Sequence, residues 1–336
     1  MLKKLPRSLA IFSVVTAFFW SGTASALPYS NLVVFGDSLA DSGNNAILAD
    51  LFASGAREPA PFVGPQVATL PYASGTYSNG PVWTEYFASS LGMSLAPSLA
   101  GGNNYAYGGA RVGVDGLVPS LVSQMGLYLS GNAVNANTLY VIEGGGNDAR
   151  DVLGLYAAGM VQEANAAVTN YVQGIVGMLG TLASLGAEHF LLWNITDLGQ
   201  VPAVTAMGPG ASAGASMIVD GMNQAMYGAL NTYLPGSILD DIVLFDAFNG
   251  LRDIVANPAA FGLSNVTDAC ADQLASPNCI ANSADQYFFW DGIHPTTAGH
   301  AVMAQLAVAA LPEPSSWALF GLAFLGLAAS RRRAYR

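Results

Sequence analysis

Asn31-Leu32-Val33-Val34-Phe35-Gly36-Asp37-Ser38-Leu39 is the stretch on which the architecture turns. Four consecutive apolar residues stop at a glycine, and a run this short and continuous reads as a strand buried on both faces. Gly36 ends the run, and Ser38 stands on the turn that follows. Working outward, the same pattern recurs at Leu139-Tyr140-Val141-Ile142, Phe190-Leu191-Leu192-Trp193 and Ile242-Val243-Leu244-Phe245, each bounded by Gly, Asp or Asn. Longer stretches of helical composition lie between these runs, roughly 161–185 and 212–233, with another at 297–311. Such alternation implies right-handed crossovers and a mostly parallel sheet covered by helices on both faces. Ligands in such folds bind at the carboxyl ends of the strands, where Ser38 falls.

Two stretches break the alternation: 46–98, rich in Pro, Gly and Ser, and 256–287. Long irregular segments are usually functional, and these are expected to form a substrate cleft. The second holds the chain's 2 cysteines, Cys270 and Cys279. With no histidine beside them they cannot make a zinc site, so the expectation is no metal and, in an exported protein, a disulfide between them.

Both ends read as sorting devices. Lys3, Lys4 and Arg7 precede an apolar run from Leu9 to Trp20, and Ala24-Ser25-Ala26 supplies small residues for cleavage, so residues 1–26 are expected to be a signal peptide. Pro312-Glu313-Pro314 leads into an apolar stretch from Trp317 to Ala329 closed by Arg331-Arg332-Arg333. That tail, 312–336, resembles the PEP-CTERM sorting signal of Gram-negative bacteria that make exopolysaccharide. The resemblance implies processing by a membrane peptidase, exosortase, and a secreted or cell-surface body held only transiently in the inner membrane. A plain membrane helix with a positive-inside cluster is the simpler alternative. What remains, 27–311, is expected to be one domain.

Of the 11 Lys and Arg in the chain, only Arg57, Arg111, Arg150 and Arg252 lie inside that body, against nearly all of the 22 acids. So acidic a body repels phosphate backbones and anionic lipid surfaces, which excludes nucleic acid as a partner and favours a neutral ester or neutral glycan ester.

Four motifs carry chemistry. The first is Phe35-Gly36-Asp37-Ser38-Leu39-Ala40-Asp41-Ser42-Gly43-Asn44-Asn45, which places a serine hydroxyl at the carboxyl edge of the sheet, with helix N-terminal amides expected close by. The last is Trp290-Asp291-Gly292-Ile293-His294-Pro295-Thr296, in which a carboxylate three residues before an imidazole can accept its Nδ1 proton and leave Nε2 to take the serine proton. Between them, Asn104-Tyr105-Ala106-Tyr107-Gly108-Gly109-Ala110 and Glu143-Gly144-Gly145-Gly146-Asn147-Asp148 offer oxyanion donors: backbone amides left accessible by glycine, and the Asn147 side chain.

In that order the four motifs resemble the conserved blocks of the GDSL/SGNH hydrolase family, and the resemblance covers most of the body. The family's serine, glycine, asparagine and histidine fall on Ser38, Gly109, Asn147 and His294, and its aspartate on Asp291; Gly109 rather than Gly108 rests on counting from Asn104. The resemblance implies a three-layer α/β/α sandwich with a flavodoxin-like, mostly parallel sheet, no cofactor, and ester hydrolysis through an acyl-enzyme. Ser38, Asp291 and His294 are then the catalytic set, with Ser38, Gly109 and Asn147 as the oxyanion hole. Ile195-Thr196 departs from the family's usual proline-rich form at the cleft wall.

Asp37 and Asp148 read as turn-capping acids, Glu143 as a strand-end acid that could polarise the site, and His189 and His300 as hydrogen-bonded structural histidines. Tyr105, Tyr107 and Trp290 fit an acyl pocket or core packing. Three functions are open at this point: an esterase or lipase for lipid-like or short acyl esters, a glycan O-acetyl esterase acting on exopolysaccharide, and a surface-displayed structural or adhesive protein without turnover.

Overall fold

The structure is a computed structural model that describes residues 28–53, 75–272, 279 and 283–312. Residues 1–26, expected to be a signal peptide, the apolar tail and Arg57 lie outside these residues. Tyr29–Leu311 form a unit of their own.

The four apolar runs become the strands β1 (Asn31–Phe35), β2 (Thr138–Ile142), β3 (His189–Trp193) and β4 (Ile242–Phe245). They pair in parallel in the order β1-β2-β3-β4. Among the helices are α1 (Asn44–Ala53), α2 (Trp83–Ser90), α3 (Leu121–Gly131), α4 (Gly146–Ala157), α5 (Val161–Ser184), α6 (Pro202–Thr205), α7 (Pro209–Tyr233), α8 (Ala247–Ala256) and α9 (Thr297–Ala310), with a further single turn at Gly236–Leu239. Side chains alternate across a strand, and this sorts the layers. Tyr140 and Phe190 are register partners, and Tyr140 packs with Phe35 around Tyr128 of α3. Trp193, three residues after Phe190, points the other way and lies 4.1 Å from Trp83 of α2, ring centroid to centroid. Helices α3, α4, α5 and α7 contact one another on the first face, while α2 and α9 pack together on the second. The result is a three-layer α/β/α fold.

The flavodoxin-like character comes from a segment too short to be named a strand. Val34 N donates to Asn103 O at 3.0 Å, Tyr105 N to Val34 O at 2.8 Å and Tyr107 N to Gly36 O at 3.1 Å. This segment runs along the edge of β1 opposite β2, so the chain leaves β1 in both directions. The reversal opens a crevice at the carboxyl ends of β1 and β2, where open α/β sheets bind ligands.

The described parts of both irregular stretches contain regular elements. Residues 83–90 are α2, with Trp83 and Phe87 wholly buried. The second stretch contributes β5 (Asn265–Ala269), which pairs in parallel with β6 (Tyr287–Phe289) in a separate small sheet. A disulfide joins Cys270 to Cys279, buried against Trp290 at the end of that sheet.

Candidate active site

Gly36 is the pivot of the first motif. A Cβ there would meet the Ala40 methyl at 2.7 Å and the Glu143 carboxyl at 3.0 Å, so only glycine lets β1 turn this tightly. Gln124 of α3 clamps the pivot, accepting from Gly36 N and donating to Gly36 O, each at 2.9 Å. Ser38 then lies on a turn in which Ala40 N and Asp41 N both donate to Asp37 O. No helix starts here: α1 begins at Asn44, so the expected helix amides beside Ser38 are replaced by turn amides.

The polar residues after Ser38 tie this turn to the second motif. Asp41 accepts from the backbone N–H groups of Gly43, Asn44 and Asn45, and across the chain from Gly108 N at 2.9 Å. Asn44 donates to the carbonyls of Asn104 and Ala106, and Asn45 to that of Gly108. The Gly108 N–H is therefore engaged. Gly109, at φ +87°, has no protein acceptor for its N–H among the described residues, and neither has Ser38. The count from Asn104 and the hydrogen bonding thus favour the same glycine.

At the other end, Trp290 N donates to His294 O at 2.7 Å and closes the turn. Asp291 Oδ1 accepts from Ile293 N and His294 N, and Oδ2 lies 2.7 Å from His294 Nδ1. His294 Nε2 lies 2.8 Å from Ser38 Oγ. Thr296 caps α9 by accepting from Gly299 N. The Tyr77 ring stands 5.3 Å from the imidazole, while Ser78 and Asn79 hydrogen-bond to Pro295 O and Thr297 N. The first irregular stretch thus buttresses the histidine turn.

Asn147 opens α4. Its Nδ2 donates to Ala110 O at 3.0 Å and has only a long 3.4 Å contact to Asp37 Oδ2. Asp37 is buried, which pushes its carboxyl up to about 6 against the pull of Leu39 N–H, His294 and Arg150. Burial, and then the charge of Asp37, push Glu143 well above the usual carboxylate range. Asp148 accepts from Val112 N at 3.1 Å and ties α4 to the second motif.

A cavity of about 660 Å³ opens at Ser38 and His294. Its walls come from α4, from residues 194–218 and from residues 288–303. No described residue of 46–98 or 256–287, the stretches expected to form the cleft, lines it, and residues 54–74 and most of 273–282 lie outside the described residues. Ser78, Asn79 and the Cys270–Cys279 disulfide instead pack against the histidine turn and Trp290. Tyr105, Tyr107 and Trp290 are likewise absent from the lining, and Tyr107 and Trp290 are core residues. Ile195 and Thr196 do line it.

His300 departs from the expected hydrogen-bonded histidine. It is buried with no partner for either ring nitrogen among the described residues, and burial holds it at about 3, as a neutral ring. His189 packs edge-on against Tyr29. Sequence reasoning missed Gln124, the Asp41-Asn44-Asn45 network and Arg150 on the cavity wall. The asparagine-rich run was a visible signal for the network; nothing near Gln124 marked it.

Among known proteins, the chain is 30% identical over 310 residues to the thermolabile hemolysin of Vibrio parahaemolyticus, covering 85% of this chain and 65% of that protein. It is 29% identical to a GDSL esterase/lipase of Arabidopsis thaliana, covering 88% of this chain and 92% of the plant protein. The chain spans about half to two-thirds of the length of the bacterial relatives it matches, at 65%, 50% and 54%. Among solved structures, an acetylxylan esterase from Geobacillus stearothermophilus aligns with TM-score 0.44 at 14% identity, over 85% of this chain and 95% of the other. Residues 310–333 match the PEP-CTERM protein-sorting motif. The GDSL-like lipase/acylhydrolase model matches residues 32–307, from β1 through α9, and the chain belongs to that family.

Proposed function

We propose that this chain is an exported serine hydrolase that cleaves carboxylic esters through an acyl-enzyme on Ser38. The observation that carries the reading is the relay Asp291–His294–Ser38, with contacts of 2.7 and 2.8 Å between two ends of the fold, set at the mouth of the cavity. Ser38 Oγ attacks the ester carbonyl as His294 Nε2 takes its proton, and Asp291 holds the imidazole tautomer. The carbonyl oxygen, now anionic, takes hydrogen bonds from Ser38 N, Gly109 N and Asn147 Nδ2, each such donor contributing about 3–4 kcal/mol. Collapse breaks the acyl–oxygen bond, and the imidazolium returns its proton to the leaving alcohol. Water then attacks the acyl group, gives its proton to His294 and restores Ser38.

The N-terminal segment 1–26 is read as a cleaved signal peptide, 27–311 as the hydrolase body and 312–336 as the sorting segment. The PEP-CTERM match supports export through an exosortase. A fluorophosphonate probe should label Ser38. Ser38→Ala should lose both labelling and p-nitrophenyl ester hydrolysis while keeping its thermal midpoint. A variant that retains more than a few per cent of kcat would overturn the nucleophile, and an unlabelled wild type would favour a displayed protein without turnover.

A further inference from the structure

Three described arginines stand in an acidic body, and two are spoken for. Arg111 pairs with Asp151 at 2.8 Å and Arg252 with Asp197 at 2.7 Å. Arg150 is exposed and, among the described residues, has no ion pair or hydrogen bond. It nevertheless lines the cavity that opens at Ser38. Its place on α4 is three residues after Asn147, one helical turn or about 5 Å further along the same face. The Arg150 charge is felt by the Asp37 carboxyl, but with no direct ion pair or hydrogen bond its guanidinium, one turn from an oxyanion donor, can meet an anionic group on a bound molecule.

The rest of the cavity specifies what that molecule is attached to. The lining is mostly apolar, with Leu39, Leu153, Ile195, Val204, Ile218 and Met303 among its residues, and the polar side chains Asp37 and Glu143 lie at the Ser38 end of β1 and β2. Two further lining side chains are exposed to solvent at the rim, Tyr156 at 36% and Met207 at 72%. A volume of about 660 Å³ is many times what an acetyl group needs. A glycan chain would call for polar side chains along its length, whereas an aliphatic chain is stabilised by this lining.

Building on the serine-hydrolase reading, we propose that the substrate is an amphiphilic ester whose aliphatic acyl chain lies in the α4–α7 cavity and whose leaving alcohol carries an anionic phosphate held by Arg150. Hydrolysis then transfers the acyl chain to Ser38 and on to water, and the phosphate departs on the protonated alcohol. Distant acids are screened by salt, so the carboxyl that the phosphate must compete with for Arg150 is Asp37, which lines the same cavity.

The test compares dihexanoyl phosphatidylglycerol with the chain-matched neutral dihexanoylglycerol, both kept monomeric, on the purified protein. The expected result is a higher kcat/KM for the anionic ester. That preference should fall roughly tenfold in Arg150→Gln, the scale of one lost charged hydrogen bond, and be partly kept in Arg150→Lys. It should also shrink in the wild type as sodium chloride is raised. An unchanged preference in Arg150→Gln would overturn the role of Arg150, and faster cleavage of an acetylated polyuronate than of either lipid would overturn the substrate class. Equilibrium binding of the two lipids to Ser38→Ala separates this inference from the hydrolase reading. Selective binding of the anionic lipid without turnover in the wild type would sink the reading and keep the phosphate site; equal binding would sink the site alone.

Discussion

Asp148 shows how a side chain beside the chemistry is bound to the stability of the fold. Its carboxyl faces Val112 N and is pushed up to about 7, first by burial and then by the charges of Asp37 and Asp151. An unfolded aspartate titrates near 3.9, so between about pH 4 and pH 7 the folded chain holds a proton that the unfolded chain has released. The native state gains from that proton in acid, and the contribution is lost as pH rises through the folded value. Asp148→Asn removes the titration while keeping an acceptor of the same shape. Relative to the wild type, its unfolding free energy should therefore rise between about pH 5 and pH 8 by on the order of 1 kcal/mol. Denaturant midpoints at the two pH values measure this, and parallel pH curves for the two proteins would reject it.

The loop from β2 into α4 aims Asn147, and glycine makes that loop possible. Gly145 is the residue before α4 and has φ +107°; a Cβ there would come within 2.6 Å of the Tyr171 ring and 2.8 Å of Ile195. Tyr171 lies in α5 and Ile195 after β3, so the first turn of α4 is wedged between two neighbours. Gly145→Ala should cost about 2 kcal/mol or more, lower the thermal midpoint by roughly 4–8 °C, and reduce kcat because Asn147 is displaced with the helix start. Gly177, inside α5, gives the contrast, since a Cβ added there would meet nothing within 4 Å: Gly177→Ala should stabilise by about 0.5–1 kcal/mol. Equal midpoints for the two variants would show that the wedge is not real. Element placement was legible from pattern alone for β1 through β4, because each is a short apolar run closed by a breaker. Helix α2 was hidden because its two large buried aromatics, Trp83 and Phe87, sit in a stretch otherwise dominated by Pro, Gly and Ser.

For the molecule as a whole, the ends and the body answer to different physics. The tail that matches the sorting motif ends in an arginine cluster, which would hold it at the cytoplasmic face until a peptidase cuts near Pro312-Glu313-Pro314. Protein recovered from its native host should then lack Arg331, Arg332 and Arg333 by intact mass, and its esterase activity should survive the cut, since His294 lies upstream. Recovery of full-length chain from the inner membrane would favour a plain anchor. The sequence by itself determined the strand runs, the candidate serine, aspartate, histidine and asparagine of the proposed site, and the sorting motif, because each is a local pattern in which a few adjacent residues carry the signal. Only the tertiary structure decided which glycine N–H is left without a partner among the described residues, that Gln124 clamps Gly36, that Ser78 and Asn79 brace the histidine turn, and that Arg150 stands on the cavity wall with no direct ion pair among the described residues. Those facts depend on which groups from distant parts of the chain meet and use up one another's hydrogen bonds and charges, and that pairing exists only once the chain has folded.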